Sequence, residues 1–332
     1  MPAVELLYDA LMCRKLESLA VLNAQPHHLL RDACQKASRY QLLQTFKPWC
    51  EGIAQLGLDS HAEISGSFSI AVVFPSKNKC LTLSHMATAM LLLPEGGEII
   101  MACANLHGAK SYDAALKKLA GSVTSSSKSK CRVFSARRSS EMNSGLAEQW
   151  ISDAKMRCVE AHGLWSQPGL FSWDRVDIGS QLLLQHLPEL SGMGMDLCCG
   201  YGLLSVQMMK RNVGIIHLDM VEADASALQC AEKNLTYWQD KVACHWEDGT
   251  GDGLPKRLDW VVCNPPFHTG QAQDVELGQA IVAQGCRSLK RGGHLYMVAN
   301  RKLPYEQILE KHLRHYQVIT EAQGFKVIRG ER

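Results

Sequence analysis

The segment Asp196-Leu197-Cys198-Cys199-Gly200-Tyr201-Gly202 stands where an apolar run at 193–198 gives way to a helical pattern at 203–211. Glycines at such a handover let the backbone turn sharply and approach a ligand, at the carboxyl edge where open α/β sheets bind theirs. Outward from this turn, the chain beyond residue 168 alternates strand and helix signals in the βαβ manner. Strands are predicted at 193–198, 214–221, 241–246, 257–263, 292–299, 315–320 and 325–330. Helices are predicted at 203–211, 224–235, 274–289 and 304–314. Seven strands with helical crossovers imply an α/β fold: a seven-stranded, mostly parallel open sheet with helices on both faces, its last two strands a hairpin.

The front half reads less directly. The first 23 residues, with Leu6, Leu7, Leu11, Leu16, Leu19 and Leu22 near helical spacing, predict an amphipathic helix. Ser65–Phe74 alternates and then runs into a short buried strand ended by Pro75. Four segments pair with later ones in order: Val72-Val73-Phe74-Pro75 with Val261 through Pro265, Gly96–Met101 with Gly292–Met297, Tyr112–Leu119 with Tyr305–Leu313, and Cys131-Arg132-Val133 with Phe325-Lys326-Val327. Their offsets of 189, 196, 193 and 194 are nearly constant. This pattern predicts an internal duplication, two tandem domains of one architecture. The serine-rich cluster at 139–144 marks a boundary. The expected division is a front domain at 1–140, a linker and lead-in at 141–167, and a second domain at 168–332.

A chain of 332 residues with 46% hydrophobic, 20% charged and 7% aromatic content fits two ordinary globular domains. Its longest apolar stretches, Met86–Leu93 and Ile99–Ala104, fall far short of the roughly 20 residues of a membrane span. Glu5, Asp9 and Glu17 among the first leucines argue against a secretory signal, so a cytoplasmic protein is expected. Thirteen cysteines, none spaced C-x-x-C, predict reduced thiols rather than disulfides or a metal site. Residues 1–140 hold 16 Lys+Arg against 10 Asp+Glu, whereas 141–332 hold 19 against 23. A polyanion would prefer the basic front half, where Lys128, Lys130, Arg132, Arg137 and Arg138 cluster.

The acid–glycine turn carries Asp196 at its front, no Lys or Arg within the loop, and Ser205 where a third glycine would complete a dinucleotide fingerprint. It is therefore not built around a diphosphate. An acidic cradle suits a ligand with an ammonium and a sulfonium, which points to S-adenosylmethionine, with Asp196, Cys198, Gly200 and Gly202 forming the cradle. Glu222, 20 residues beyond Gly202 at the end of the next strand, is placed to accept from two ribose hydroxyls. Asp248, after the third strand, is placed to accept from an adenine amino group. Asp177-Ile178-Gly179-Ser180, with Phe171-Ser172 before it, is expected to close over the cofactor's methionine end through Asp177 and Gly179.

Asn264-Pro265-Pro266-Phe267 follows the buried strand Trp260-Val261-Val262-Cys263. Consecutive prolines cannot continue a sheet, so the strand stops there. They also lack N–H groups, leaving acceptors without neighbouring donors. The Asn264 side-chain oxygen and the Pro265 carbonyl can hold both hydrogens of one exocyclic amine and aim its lone pair at a methyl donor. Asn264 thereby borders the cofactor as well. Phe267 offers a stacking face for a flipped base, and His268 follows directly, within reach of the released proton, although a loop histidine without catalytic duty is the favoured reading there.

These motifs resemble the class I S-adenosylmethionine-dependent methyltransferases that act on amines. Gly169-Leu170-Phe171-Ser172, Asp177 through Leu184, Asn264 through Gly270 and Gly324-Phe325-Lys326-Val327 resemble, more narrowly, the bacterial ribosomal RNA small-subunit methyltransferase C family. The resemblance implies two tandem Rossmann-like class I domains, a front copy without cofactor binding, and methylation of guanine N2 in 16S ribosomal RNA, in the 30S subunit, without a metal. The front copy shows Pro75-Ser76-Lys77-Asn78 where the catalytic tetrapeptide should stand. Cys198 replaces the family's usual glycine, and a modest loss of cofactor affinity is expected from it. The same tetrapeptide serves 23S rRNA guanine-N2, DNA adenine and protein glutamine methyltransferases, and a vestigial-site RNA-binding or assembly protein is a further alternative.

Overall fold

Along Trp260-Val261-Val262-Cys263, Val261 and Cys263 join a buried cluster on one side, while Trp260 and Val262 join another on the opposite side. A strand covered on both faces reads as such a continuous apolar run. In the computed structural model, which describes residues 2–266 and 272–332 except for the side chains of 272–274, the chain divides into two compact units, Met1–Lys155 and Met156–Arg332.

The second unit opens with a small hairpin, β7 (Arg157–Val159) and β8 (Leu164–Ser166), and a helix α7 (Ile178–His186), which in the first unit's numbering follow six strands and six helices. Then come β9 (Gly192–Leu197), α8 (Leu203–Arg211), β10 (Ile215–Glu222), α9 (Ala225–Asn234), β11 (Val242–Trp246), β12 (Leu258–Cys263), α10 (Ala272–Ser288), β13 (Leu289–Asn300), α11 (Glu306–His312), β14 (His315–Ala322) and β15 (Phe325–Glu331). The seven-stranded sheet runs β11-β10-β9-β12-β13-β15-β14. Its first five strands are parallel, and β15 is antiparallel to both neighbours. The expected closing hairpin is β14–β15, turning at Gln323 and Gly324, both at positive φ. Register sets Leu197 beside Val221 and Cys263, Cys263 beside Met297, and Glu222 beside Trp246. The residues that follow these strands therefore share one edge. Close pairing of β9 with β12 needs Gly194, because a Cβ there would lie 2.1 Å from the Trp260 ring.

The first unit comprises α1 (Pro2–Met12), β1 (Ser18–Leu22), α2 (His28–Lys36), β2 (Arg39–Leu43), α3 (Lys47–Gln55), β3 (Ile70–Val73), α4 (Lys79–Leu92), β4 (Glu98–Ala104), α5 (Ala109–Ala120), β5 (Thr124–Lys128), β6 (Cys131–Arg137) and α6 (Ser144–Asp153). Its sheet has six strands, not the expected seven, in the order β2-β1-β3-β4-β6-β5. Its inner strands are likewise covered on both faces, Ala71 and Val73 in one cluster and Ile70 and Val72 in the other.

One expectation for this half changes. The N-terminal helix ends at Met12, and Leu19 and Leu22 lie in β1, because a short apolar run reads alike as buried strand or helix. The short buried strand expected at 71–74 is β3, Ile70–Val73. Within the stretch expected as linker, α6 packs through Ala147, Trp150 and Ile151 on the first unit's core, and the units meet at Lys155 and Met156. The basic cluster is also partly committed to the fold. Arg132 pairs with Asp113 at 2.6 Å, Arg137 donates to the Gly96 carbonyl, and Arg138 donates to those of Leu91 and Leu93. Lys128 and Lys130 are exposed, and their side chains have no hydrogen-bond or ion-pair partner among the described residues. Among the described residues no helix is long and apolar enough to cross a membrane, and no group of three or more His, Cys, Asp or Glu is placed to hold a metal.

Candidate active site

Asp196, the penultimate residue of β9, is fully buried. Its Oδ2 accepts from Ser205 Oγ at 2.6 Å, whereas its Oδ1 has no partner. Burial raises its pKa to about 7, against the opposing pull of the Ser205 hydrogen bonds. The serine that stands in place of a third glycine thus holds this acid. Cys198 and Cys199 both donate their N–H groups to the Val221 carbonyl. Cys198 adopts φ 64°, the left-handed conformation that favours glycine. Its thiol is held by Cys263, and this contact together with burial lifts its pKa well above the ordinary thiol value.

Gly200 and Gly202 have φ 56° and 85°. A Cβ on Gly200 would meet nothing within 4 Å, so the turn faces open space there. One on Gly202 would lie 3.0–3.2 Å from Leu235 and Ala231, which lets Gly202 start α8 close against α9. Asn234 donates to the carbonyls of both Tyr201 and Trp165, tying the turn to β8.

Glu222 bridges two backbone segments: Oε2 accepts from Gly200 N at 2.8 Å and Oε1 from Asp224 N at 3.0 Å. Burial raises its pKa, and the N–H groups pull the other way. Each oxygen keeps a further lone pair. Just beyond the neighbouring strand β11, Asp248 closes a turn by accepting from Thr250 N at 2.9 Å. Asp196, Cys198, Gly200, Gly202, Glu222, Asp248 and Asn264 therefore all follow or end adjacent strands at one edge.

Asn264 Nδ2 donates to Asp177 Oδ2 at 3.0 Å and to Ser180 Oγ at 2.8 Å, and its Oδ1 is buried without a partner. Asp177 also caps α7, accepting from Ser180 N at 2.7 Å. Gly179 leaves room for the Phe325 ring and the Asp177 carboxylate, each 3.1 Å from where a Cβ would stand. Pro265 is buried and Pro266 exposed. Phe267 and His268 lie outside the described residues. Three further residues, Ser180, Ser205 and Cys263, join this arrangement through their contacts. For Ser205 the missing third glycine was a signal, but the other two are recognised only by their contacts.

The residues fit S-adenosylmethionine. Two buried carbonyl-type oxygens, Asp196 Oδ1 and Asn264 Oδ1, lack donors, the Gly200 side of the turn is open, and the loop has acids without Lys or Arg. After β3 of the first unit, by contrast, Pro75-Ser76-Lys77-Asn78 satisfies itself. Ser76 Oγ donates to Asn78 O, Asn78 N donates back to Ser76 Oγ, and Asn78 Oδ1 accepts from Leu81 N to cap α4.

A 3-2-1-4-5-7-6 sheet with an acid–glycine turn after its first strand and Asn-Pro-Pro after its fourth defines a class I S-adenosylmethionine-dependent methyltransferase. Residues 161–329 match the Methyltransferase small domain family, and residues 19–153 match its N-terminal counterpart, Methyltransferase small domain N-terminal. The ribosomal RNA small subunit methyltransferase C of Shewanella amazonensis is 30% identical over 268 residues, covering 78% of this chain and 76% of the relative. That of Shewanella pealeana is 27% identical over 326 residues, 94% of each. The chain belongs to the ribosomal RNA small subunit methyltransferase C family. The solved Thermus thermophilus 16S rRNA N2 G1207 methyltransferase, in complex with AdoMet and guanosine, shares the fold. Its TM-score is 0.82 at 23% identity, over 98% of this chain and 91% of that one.

Proposed function

We infer that this protein transfers a methyl group from S-adenosylmethionine to the N2 amine of a guanine in 16S ribosomal RNA, presented by the 30S subunit. The observation that carries the reading is the buried, unpartnered Asn264 Oδ1 at the end of β12, an acceptor awaiting an N–H. Family membership points to the same substrate.

When bound, S-adenosylmethionine supplies a methyl group on a positively charged sulfur. Asp196 and the turn from Cys198 to Gly202 hold its amino-acid end, Glu222 its ribose and Asp248 its adenine, while Asp177 and Gly179 border the same pocket. Asn264 Oδ1 and the Pro265 carbonyl take the two hydrogens of the guanine amine and turn its lone pair toward the methyl. Pro266 ends the strand and withholds a competing N–H. An amine conjugated to a purine is a weak nucleophile, so fixing its orientation supplies much of the acceleration. Phe267 stacks on the flipped base, and the proton released from nitrogen passes to solvent.

The first unit is read as a non-catalytic copy of the second, with the chain divided functionally at 1–140, 141–167 and 168–332. The two sheet orders coincide strand for strand once β11 is removed from the second, which supports duplication followed by loss of one strand. Lys128 and Lys130, at the tip of the exposed β5–β6 hairpin, are its RNA-backbone contacts.

Labelled S-adenosylmethionine is incubated with 30S subunits lacking the modification, free 16S RNA, 50S subunits and duplex DNA, beside an Asn264→Ala enzyme. The expected product is N2-methylguanine in 16S RNA, at least about a hundredfold slower with Asn264→Ala. Label confined to 50S subunits or DNA refutes the substrate. No label and no cofactor binding would make this an RNA-binding protein with a vestigial site.

A further inference from the structure

We propose that Asp177 and Ser180 form a polarity lock on Asn264: they force the amide to present oxygen, never nitrogen, to the substrate. They thereby make the site select an amine over a carbonyl. The proposal rests on Asn264 being the amine-holding residue.

An asparagine amide is nearly symmetric in shape and can place either its donor or its acceptor at a given spot. A site that must hold N–H hydrogens works only with the oxygen inward. The Asp177 carboxylate offers acceptors only, and its Oδ2 lies 3.0 Å from Asn264 Nδ2. Turning the amide would set two oxygens against each other at that distance. Ser180 Oγ takes the second amide hydrogen at 2.8 Å, so both donors are spent on the protein. Asn264 Oδ1 is left over, buried and without a partner.

The lock is itself rigid. Asp177 Oδ2 accepts from Ser180 N at 2.7 Å as the cap of α7. The capping bond and the locking bond thus share one oxygen, and Ser180 is buried in the first turn of the helix. Glycine at 179 is required for this packing, since a Cβ would crowd Asp177 Oδ2 and Phe325. Asp177 and Ser180 are therefore positioning residues. They act through Asn264 and not on the reacting atoms.

Ser180→Ala removes one locking acceptor and leaves the capping backbone N–H in place, so it carries the test. Its kcat for RNA methylation should fall about tenfold, the worth of one hydrogen bond, with cofactor Kd and RNA KM within about twofold of the unaltered enzyme. Ser180→Thr should restore most of the rate. Asp177→Ala should fall about a hundredfold, and Asp177→Asn, which keeps an acceptor oxygen at the cap, should lie between. Full kcat in both Ser180→Ala and Asp177→Ala would overturn the lock. So would a loss expressed wholly in cofactor Kd, which would make these groups cofactor ligands.

A second readout is independent of substrate. In the full chain labelled with ¹⁵N-asparagine, the Asn264 side-chain NH₂ signals are identified by their absence in Asn264→Ala. They should exchange slowly with solvent in the unaltered protein and rapidly in Ser180→Ala; fast exchange in the unaltered protein refutes the lock. An enzyme that methylates none of the RNAs yet shows this protection pattern would refute the proposed substrate and leave the lock standing.

Discussion

Gly200 and Gly202 both have positive φ within the same turn, yet alanine at the two positions should have different consequences. At Gly200, with φ 56° and no atom within 4 Å of a new Cβ, only the left-handed backbone disfavours alanine, by about 1–2 kcal/mol. Reduced freedom of the unfolded chain returns about 0.4–1 kcal/mol, so the net loss is about 1 kcal/mol. At Gly202, with φ 85°, the new carbon would stand 3.0 Å from Leu235 Cδ1, 3.1 Å from Ala231 Cβ and 3.2 Å from Ala231 Cα. Carbon atoms prefer about 3.5–4.0 Å. Leu235 and Ala231 are buried, and the Ala231 Cα is backbone of α9, so α8 and α9 must part. Overpacking of this kind adds about 1–3 kcal/mol, for a total near 2–4 kcal/mol. In a unit of this size each kcal/mol moves the melting temperature by about 2–4 °C. Gly202→Ala should therefore melt about 5–15 °C below the unaltered protein, and Gly200→Ala within about 4 °C of it. Calorimetry with and without S-adenosylmethionine checks this, and Gly202→Ala should also lose most of the cofactor's stabilising shift. Equal melting of the two variants would refute the packing argument.

Asp196 gives a pH dependence of known sign. Burial raises its pKa from 3.8 to about 7, so through that window the folded state holds a proton that the unfolded state has released. Its contribution to stability is therefore fully present below about pH 4, is lost as pH rises to about 7, and changes no further above. Urea titrations from pH 4.5 to 8 should show a flatter profile for Asp196→Asn; the same slope in both proteins would contradict it. Lys128→Ala with Lys130→Ala should reduce the slope of log affinity for RNA against log salt by roughly 1.4, the value for two single-strand phosphate contacts. Arg138→Ala, which removes the donor to the Leu91 and Leu93 carbonyls, should instead lower the melting temperature. An unchanged salt slope in the lysine variant removes the hairpin from the RNA interface.

The second sheet was legible because its central strands are buried on both faces and punctuated by Gly or Pro where they end, as at Gly200 and Pro265. The edge strand β5 was not, because Ser125, Ser126 and Ser127 are all exposed and leave no apolar alternation. They are held in place by the ladder to β6, not by burial. The six-strand count of the first sheet could not be read either, since the paired segments that suggested its architecture fix no strand count. Within the candidate site, Asp196, Glu222, Asp248 and Asn264 could be singled out because each lies at or just beyond the end of a strand and has a chemistry of its own. The lock escaped notice for the opposite reason. Asp177 and Asn264 are 87 residues apart, and only the fold shows that a helix cap and a strand end share one oxygen.

The contrast between Asn264 and the segment Ser76–Asn78 has a consequence for protein turnover. A buried oxygen without a donor destabilises the fold by about 1–3 kcal/mol, and two of those in the second unit, Asp196 Oδ1 and Asn264 Oδ1, lie at the cofactor edge of the sheet. The idle form is therefore its most fragile form. Methyl donor at a hundred times its dissociation constant adds about 2.7 kcal/mol, and a change of that size alters how often a chain opens to proteases. The segment Ser76–Asn78, closed upon itself, leaves no such open acceptor. In a cell short of methyl donor, proteolysis should begin in the second unit, and the enzyme's abundance should follow the supply of the compound it consumes.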